Sequence, residues 1–215
     1  CKNGRCLSVS LDNVPAFALL TDMPVETPQW GTIKADIAFG GVFYALVDVG
    51  QIGLTLSPDH ARALAEAGIT IKSILKDQVK VAHPEISGLD EIAYVMFRDK
   101  NPEGEVLTCT TLKPGRVDRS PCGTGSSANL AALYAKGKIK LGDQRISRSI
   151  IGGTFKAEVI AETQIGPYHA IIPRITGGAE IYGEEKLYLR KNDPFKNGFA
   201  LSDTWGPQVG DLITL

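Results

Sequence analysis

The chain has 215 residues, with 23 Lys and Arg against 24 Asp and Glu, for a formal net charge of −1. That balance excludes the electrostatic footprint of a general nucleic-acid or anionic-membrane binder. No run approaches the roughly 18 apolar residues of a membrane-spanning helix, and a chain with 43% hydrophobic and 22% charged residues can bury one large core or two small ones.

In chain order the pattern is first one of strands. Residues 5–11 alternate, with Cys6, Ser8 and Ser10 on one face and Leu7, Val9 and Leu11 on the other, after an Asn3-Gly4 turn signal. Further strands are predicted at 16–20, 31–38, 42–49, 91–98 and 105–111. The later ones fall at 147–151, 154–162, 169–173, 179–182 and 186–190.

Two helical regions interrupt them. The first has Ser57 as N-cap, Pro58 at the first helical position and Gly68 as its stop. A second helix over 71–81 is expected to follow, ending before His83-Pro84. The other region, about 125–136, stops at Gly137; its run GSSANLAALYAKG is small and apolar, as in a helix buried against sheet. From about Glu184 the texture turns charged and turn-rich, which fits either a domain boundary or a surface tail on the same core. The pattern is α+β, with antiparallel sheet wrapped around a central helix.

Four cysteines, Cys1, Cys6, Cys109 and Cys122, are too sparse for a disulfide scaffold. None forms a CxxC pair, so no metal site is expected, and a reducing cytoplasm is the expected compartment. The densest chemical signal is the run Asp118-Arg119-Ser120-Pro121-Cys122-Gly123-Thr124-Gly125. A cysteine directly before a buried helix faces free backbone N–H groups and the positive end of the helix dipole, both of which favour thiolate. Gly123 and Gly125 let backbone donors come close to a carboxylate or phosphate. The plainer alternative is a tight turn with Cys122 as a small buried filler. The loop is not a P-loop, because GxxxxGK[ST] is absent. A cysteine hydrolase needs a histidine base. Of the three available, His60 reads as solvent-facing, His83 as a turn residue and His169 as a core histidine.

The run DRSPCGTGSSANLAALYAKG (118–137) resembles the second catalytic motif of the proline racemase family. Shorter runs in family order extend the likeness: NVPAF (13–17), DIAFGGVFYALVD (36–48), HPE (83–85), GGTF (152–155) and NDPFKNGF (192–199). The resemblance implies two cysteines on opposite faces of the substrate Cα, acting as acid and base without pyridoxal phosphate, metal or other cofactor. Cys122 matches one of them. Gly123 and Thr124 match the donors for the substrate carboxylate, and Asp118 matches the acid that binds its amine. The substrate would be a small imino acid, with no nucleic acid or membrane as partner and a homodimer left open as the assembly.

Two departures sharpen this. Leu112 stands where proline racemases resemble one another in a phenylalanine. The smaller side chain leaves room for a ring hydroxyl, so 4-hydroxyproline is expected over proline. Cys122 is retained where trans-3-hydroxy-L-proline dehydratases carry threonine, which favours epimerisation. Proline racemase and hydroxyproline dehydratase are the alternatives within the family.

The first family motif, of the type MCGHG, does not occur in these residues, and CKNGRC lacks the turn and helix to replace it. The resemblance implies one half of a pseudo-symmetric, diaminopimelate-epimerase-like two-domain fold. Residues 1–184 would form the second half, and residues 185–215 a tail that completes the first. Cys1 in place of Met fits a chain cut in mid-protein. On its own such a chain is expected to be inactive, or to bind a carboxylate without catalysis.

Overall fold

The structure, a computed structural model, describes residues 6–101, 104–113 and 115–198. Cys1, the Asn3-Gly4 turn and the part of the tail beyond residue 198 lie outside the described residues.

Among the described residues ten strands are formed: β1 (Val9–Asp12), β2 (Ala16–Thr27), β3 (Gly31–Phe39), β4 (Phe43–Asp48), β5 (Ile92–Lys100), β6 (Val106–Leu112), β7 (Arg116–Val117), β8 (Gln144–Ser149), β9 (Thr154–Ile165) and β10 (Tyr168–Gly177). Two α-helices accompany them, α1 (Ala61–Gln78) and α2 (Gly123–Ala135). The strands run in the order β10-β2-β3-β4-β5-β6-β8-β9, and β9 pairs again with β10, so eight strands close into a barrel. Closure leaves only β1, on β10, and the short β7, on β6, outside the ring.

The sheet is mixed rather than antiparallel. β4 pairs parallel with β5, and β6 parallel with β8. The reason lies in the connections: α1 stands between β4 and β5 and α2 between β6 and β8, and a crossover of that length brings the chain back in the same direction. The other barrel pairings are antiparallel, and several are hairpins, such as β9–β10 around the Gly166 turn with its φ of +51°.

Alternation along the strands sorts side chains to the two helices. On β4, Phe43, Ala45 and Val47 join the cluster that includes Leu64, Ala67, Ile71 and Leu75 of α1. Tyr44 and Leu46 turn the other way and pack with Met96, Cys122, Ala128 and Ala132. α2 is buried over eight residues, Gly125 to Ala132, and also meets Ala16, Val159, Ile171 and Ile175 of strands β2, β9 and β10. That is why its sequence carries no charged face: strands flank it on more than one side.

Three further expectations are corrected. Gly68 does not end a helix; α1 runs through it as one helix from Ala61 to Gln78. A Cβ at Gly68 would lie 2.1 Å from Thr111 Oγ1 and 2.6 Å from Thr111 Cβ, so the glycine lets α1 close onto β6. The predicted strands at 179–182 and 186–190 are not formed, and residues 178–198 are exposed throughout, so they do not pack on this core. His169 is exposed rather than buried, because it sits beside the Gly166 turn, opposite Gln164. No helix among the described residues is long and apolar enough to cross a membrane.

Candidate active site

The loop after β7 delivers Cys122 to the first turn of α2. Asp118 N–H donates to Thr110 O (2.8 Å), holding the loop against β6. Asp118 Oδ1 then accepts the Ser120 N–H at 2.8 Å, and Ser120 Oγ accepts the Cys122 N–H at 3.1 Å. Pro121 O is gripped by two buried hydroxyls, Ser126 Oγ at 3.1 Å and Thr108 Oγ1 at 3.2 Å. With both sides fixed, Cys122 takes a φ of +64° and a ψ of 100°, which a β-carbon resists. Such a conformation costs on the order of 1–3 kcal/mol and persists only where surrounding bonds over-determine it, commonly at functional sites.

The thiol is buried, at 8% exposure, against Tyr44, Met96 and Gly125. The Tyr44 hydroxyl lies 3.3 Å from Cys122 Sγ and 2.7 Å from Thr124 Oγ1. Burial, first of all, and then the charge of Cys122 push the Tyr44 phenol well above its ordinary range. The first N–H groups of α2 have no acceptor within the helix, so Gly123 and Thr124 offer donors next to the sulfur.

The glycines of the loop divide the work. A Cβ on Gly125 would come 2.3 Å from Met96 Cε and 3.0 Å from Cys122 Sγ, so its role is to let the protein itself close around the thiol. At Gly123 nothing but Ile175 Cγ2 comes within 4 Å, at 3.9 Å, so Gly123 is the one with space in front of its backbone. Gly40, directly after β3, packs onto α2, where its Cβ would lie 2.2 Å from Thr124 O and 2.6 Å from Ala128 N. Asn13 ties the same corner together, its Nδ2 donating to Gly40 O (3.0 Å) and Ser127 Oγ (2.9 Å).

A charged cluster anchors the opposite end of α2. Asp36, 1% exposed, meets Arg98 Nη2 at 2.7 Å and Lys136 Nζ at 2.6 Å. Arg98 also donates to Asp48 (2.6 Å) and to Asn129 Oδ1 on α2 (3.0 Å). Burial pushes the Asp36 carboxyl up, but Arg98, Lys136 and the Asp22 N–H outweigh it and hold the group below the ordinary carboxylate range.

The structure therefore brings Cys122, Gly123 and Thr124 together, with Asp118 joined to them through Ser120. Leu112 ends β6 on the face it shares with Thr108 and Thr110, the face turned toward Pro121, and it also borders a hollow of about 980 Å³ between α1 and β5 that Cys122 does not line. Asp118 has a second neighbour in Cys109. Burial, and then the Asp118 charge, push that thiol up to about 12, so it stays protonated and inert. The histidines are engaged elsewhere: His60 with Thr55, His83 against the rings of Phe17 and Phe39. Among the described residues no three His, Cys, Asp or Glu side chains gather in a metal-holding group. Tyr44, Gly40 and Asn13 are the site residues that sequence reasoning did not single out. The run DIAFGGVFYALVD carried the first two, but only the closed barrel brings Tyr44 to a thiol 78 positions away.

The site thus combines an eight-stranded mixed barrel with a buried helix whose first turn carries a strained, buried cysteine beside backbone amides. Residues 1–200 match the family model described as proline racemase, and the chain belongs to that family. It is 52% identical to 4-hydroxyproline 2-epimerase 1 of Rhizobium rhizogenes over 212 residues, 99% of this chain and 61% of that protein. It is 38% identical to proline racemase of Clostridioides difficile over 201 residues, 93% of this chain and 60% of that one. Among solved structures, a hydroxyproline epimerase from Agrobacterium vitis with bound trans-4-OH-L-proline superposes with a TM-score of 0.89 at 50% identity, covering 96% of this chain and 59% of that one. The chain thus spans about three-fifths of the length of the curated relatives it matches.

Proposed function

We propose that this chain supplies one catalytic face of a cofactor-independent epimerase that inverts the α-carbon of 4-hydroxyproline. The observation that carries the reading is Cys122 Sγ, held beside the first N–H groups of a buried helix. In the reaction, the Cys122 thiolate takes the Cα proton, and the C–H electron pair moves into the carboxylate. Gly123 and Thr124 N–H groups hold the carboxylate oxygens as they gain charge, the step that dominates the barrier. Asp118 pairs with the ring ammonium, and the ring rests against Leu112. The proton on the opposite face comes from a group outside these residues, so this chain alone turns nothing over. Exposed Leu187, Tyr188 and Leu189 support the reading that the tail, taken as 185–215, packs on a half that lies outside this chain.

Hydroxyproline is favoured over proline by the identities, 49–52% to epimerases against 38% to proline racemases, and by Leu112. Retention of Cys122 favours epimerisation over dehydration. The test is the product. The chain is completed with the segment that the Rhizobium rhizogenes relative has and this chain lacks, and given trans-4-hydroxy-L-proline. Chiral chromatography is expected to show the C2 epimer; a pyrroline would mark a dehydratase instead. Loss of optical rotation with the 215-residue chain alone would contradict the single-face reading.

A further inference from the structure

The Tyr44 hydroxyl faces two groups and has one proton to give. It is 3.3 Å from Cys122 Sγ and 2.7 Å from Thr124 Oγ1, on a side chain that is 1% exposed. Resting on the reading of Cys122 as the acid–base group, we propose that Tyr44 is a further catalytic residue, a hydrogen-bond switch that donates to the sulfur when Cys122 is thiolate and to Thr124 when Cys122 is thiol.

The change of charge on sulfur drives the reversal. A thiolate has no proton, so it can only accept; Tyr44 O–H then points at the sulfur, and Thr124 O–H donates to the Tyr44 oxygen. Once Sγ has taken the Cα proton, S–H becomes the donor to the Tyr44 oxygen, and Tyr44 O–H turns to Thr124 Oγ1. The Thr124 proton is thereby released from Tyr44 and free to turn toward a ligand carboxylate held at the Gly123 and Thr124 amides. It becomes available at the moment when the electron pair from the C–H bond has arrived on that carboxylate. The donors follow the negative charge from sulfur to oxygen, and no proton is gained or lost by Tyr44. Burial keeps the phenol protonated beside a thiolate, as the rise in its pKa reflects.

The other ionisable groups around the pair are few. Tyr94 on β5 lies against Tyr44 with ring centroids 5.6 Å apart. Asp118 reaches Cys122 only through Ser120. Cys109 turns to the opposite face of β6, in the α1 cluster. Asp36, Asp48, Arg98 and Lys136 sit at the far end of α2.

The test uses the 215-residue chain and needs no substrate. Alkylation of Cys122 by iodoacetamide is followed from pH 6 to pH 10 by peptide-resolved mass spectrometry, which separates it from Cys1, Cys6 and Cys109. A hydrogen bond to a charged group is worth enough to slow alkylation in Tyr44→Phe about tenfold at pH 7. Thr124→Val removes the Tyr44–Thr124 bond from both states and leaves the Tyr44 bond to sulfur in place, so alkylation at pH 7 is expected to stay within about twofold of the parent. Wild-type reactivity at pH 7 in Tyr44→Phe, or equal slowing in both variants, would overturn the switch. If Tyr44→Phe does not fold, Thr124→Val decides alone, since slowing there contradicts the proposal. The epimerase reading fails separately, by undiminished α-proton exchange in Cys122→Ser of the completed protein.

Discussion

Gly40→Ala puts one methyl group where β3 meets the first turns of α2. The new carbon would lie 2.2 Å from Thr124 O and 2.6 Å from Ala128 N. Both are backbone atoms, so no side chain can rotate away. Ordinary contact begins at 3.4 Å, so from 2.2 Å the strand and helix must part by about 1.2 Å. Overpacking of this kind costs about 1–3 kcal/mol, and rigid partners place it at the upper end. For a chain of this size that is a fall in Tm of about 2–4 °C per kcal/mol. The functional loss should be larger in proportion. Thr124 and Cys122 move with the helix, and a ~1 Å misplacement of reacting groups costs about 100-fold in rate. The assay pairs thermal melts by circular dichroism with α-proton exchange in the completed protein. Gly50→Ala is the control, since nothing lies within 4 Å of its Cβ, and it should leave both readouts unchanged. A Gly40→Ala protein with the parent's Tm and turnover would refute the claim that this contact sets the position of α2.

Two further substitutions probe the frame. Asp36→Asn leaves Arg98 and Lys136 facing an uncharged group in a buried site, which should cost about 3–5 kcal/mol at pH 7 by urea unfolding. Because the folded-state pKa of Asp36 is lowered, its contribution is present above the unfolded value near pH 4 and is lost as pH falls through the folded value. The parent and variant curves should therefore converge as the pH falls through that lowered folded value; a gap that stays constant across the whole acid range would contradict the assignment. Gly68→Ala adds about 1 kcal/mol of helix propensity but drives a methyl into Thr111, whose hydroxyl is held by Val95 O at 3.0 Å. We expect a net loss of about 1–2 kcal/mol, and a stabilised variant would show that α1 can lift off β6 without cost.

Much of this was legible in the residues. Alternation located β3 to β6 and β8 to β10 to within about four positions, found the start of β2 but not its second half, and did not find β7, while the bland composition of 125–136 marked α2 as buried. The loop from Asp118 to Thr124 stood out because proline, cysteine and paired glycines before a helix have a specific local physics. The misreadings have physical causes. Gly68 carries a helix-stop signal by propensity, yet its purpose is a contact with Thr111, more than 40 positions away. Residues 179–182 and 186–190 have strand-like alternation, but strands need neighbouring strands, and no strand among the described residues runs beside them. The parallel pairings follow from the two helical crossovers, and local periodicity holds no information on direction. Tyr44 and Asp36 were invisible as site residues for the same reason: their partners, Cys122, Arg98 and Lys136, are distant in sequence and meet only when the barrel closes.

The central claim is that Cys122 exchanges the substrate's α-proton. Its most direct measurement is deuterium incorporation at Cα when trans-4-hydroxy-L-proline is incubated in D₂O with the completed protein, comparing the parent with Cys122→Ser. The parent is expected to return the C2 epimer carrying one deuterium at Cα, and Cys122→Ser to leave the substrate unlabelled and uninverted. Undiminished exchange in a folded Cys122→Ser protein would remove Cys122 from the chemistry.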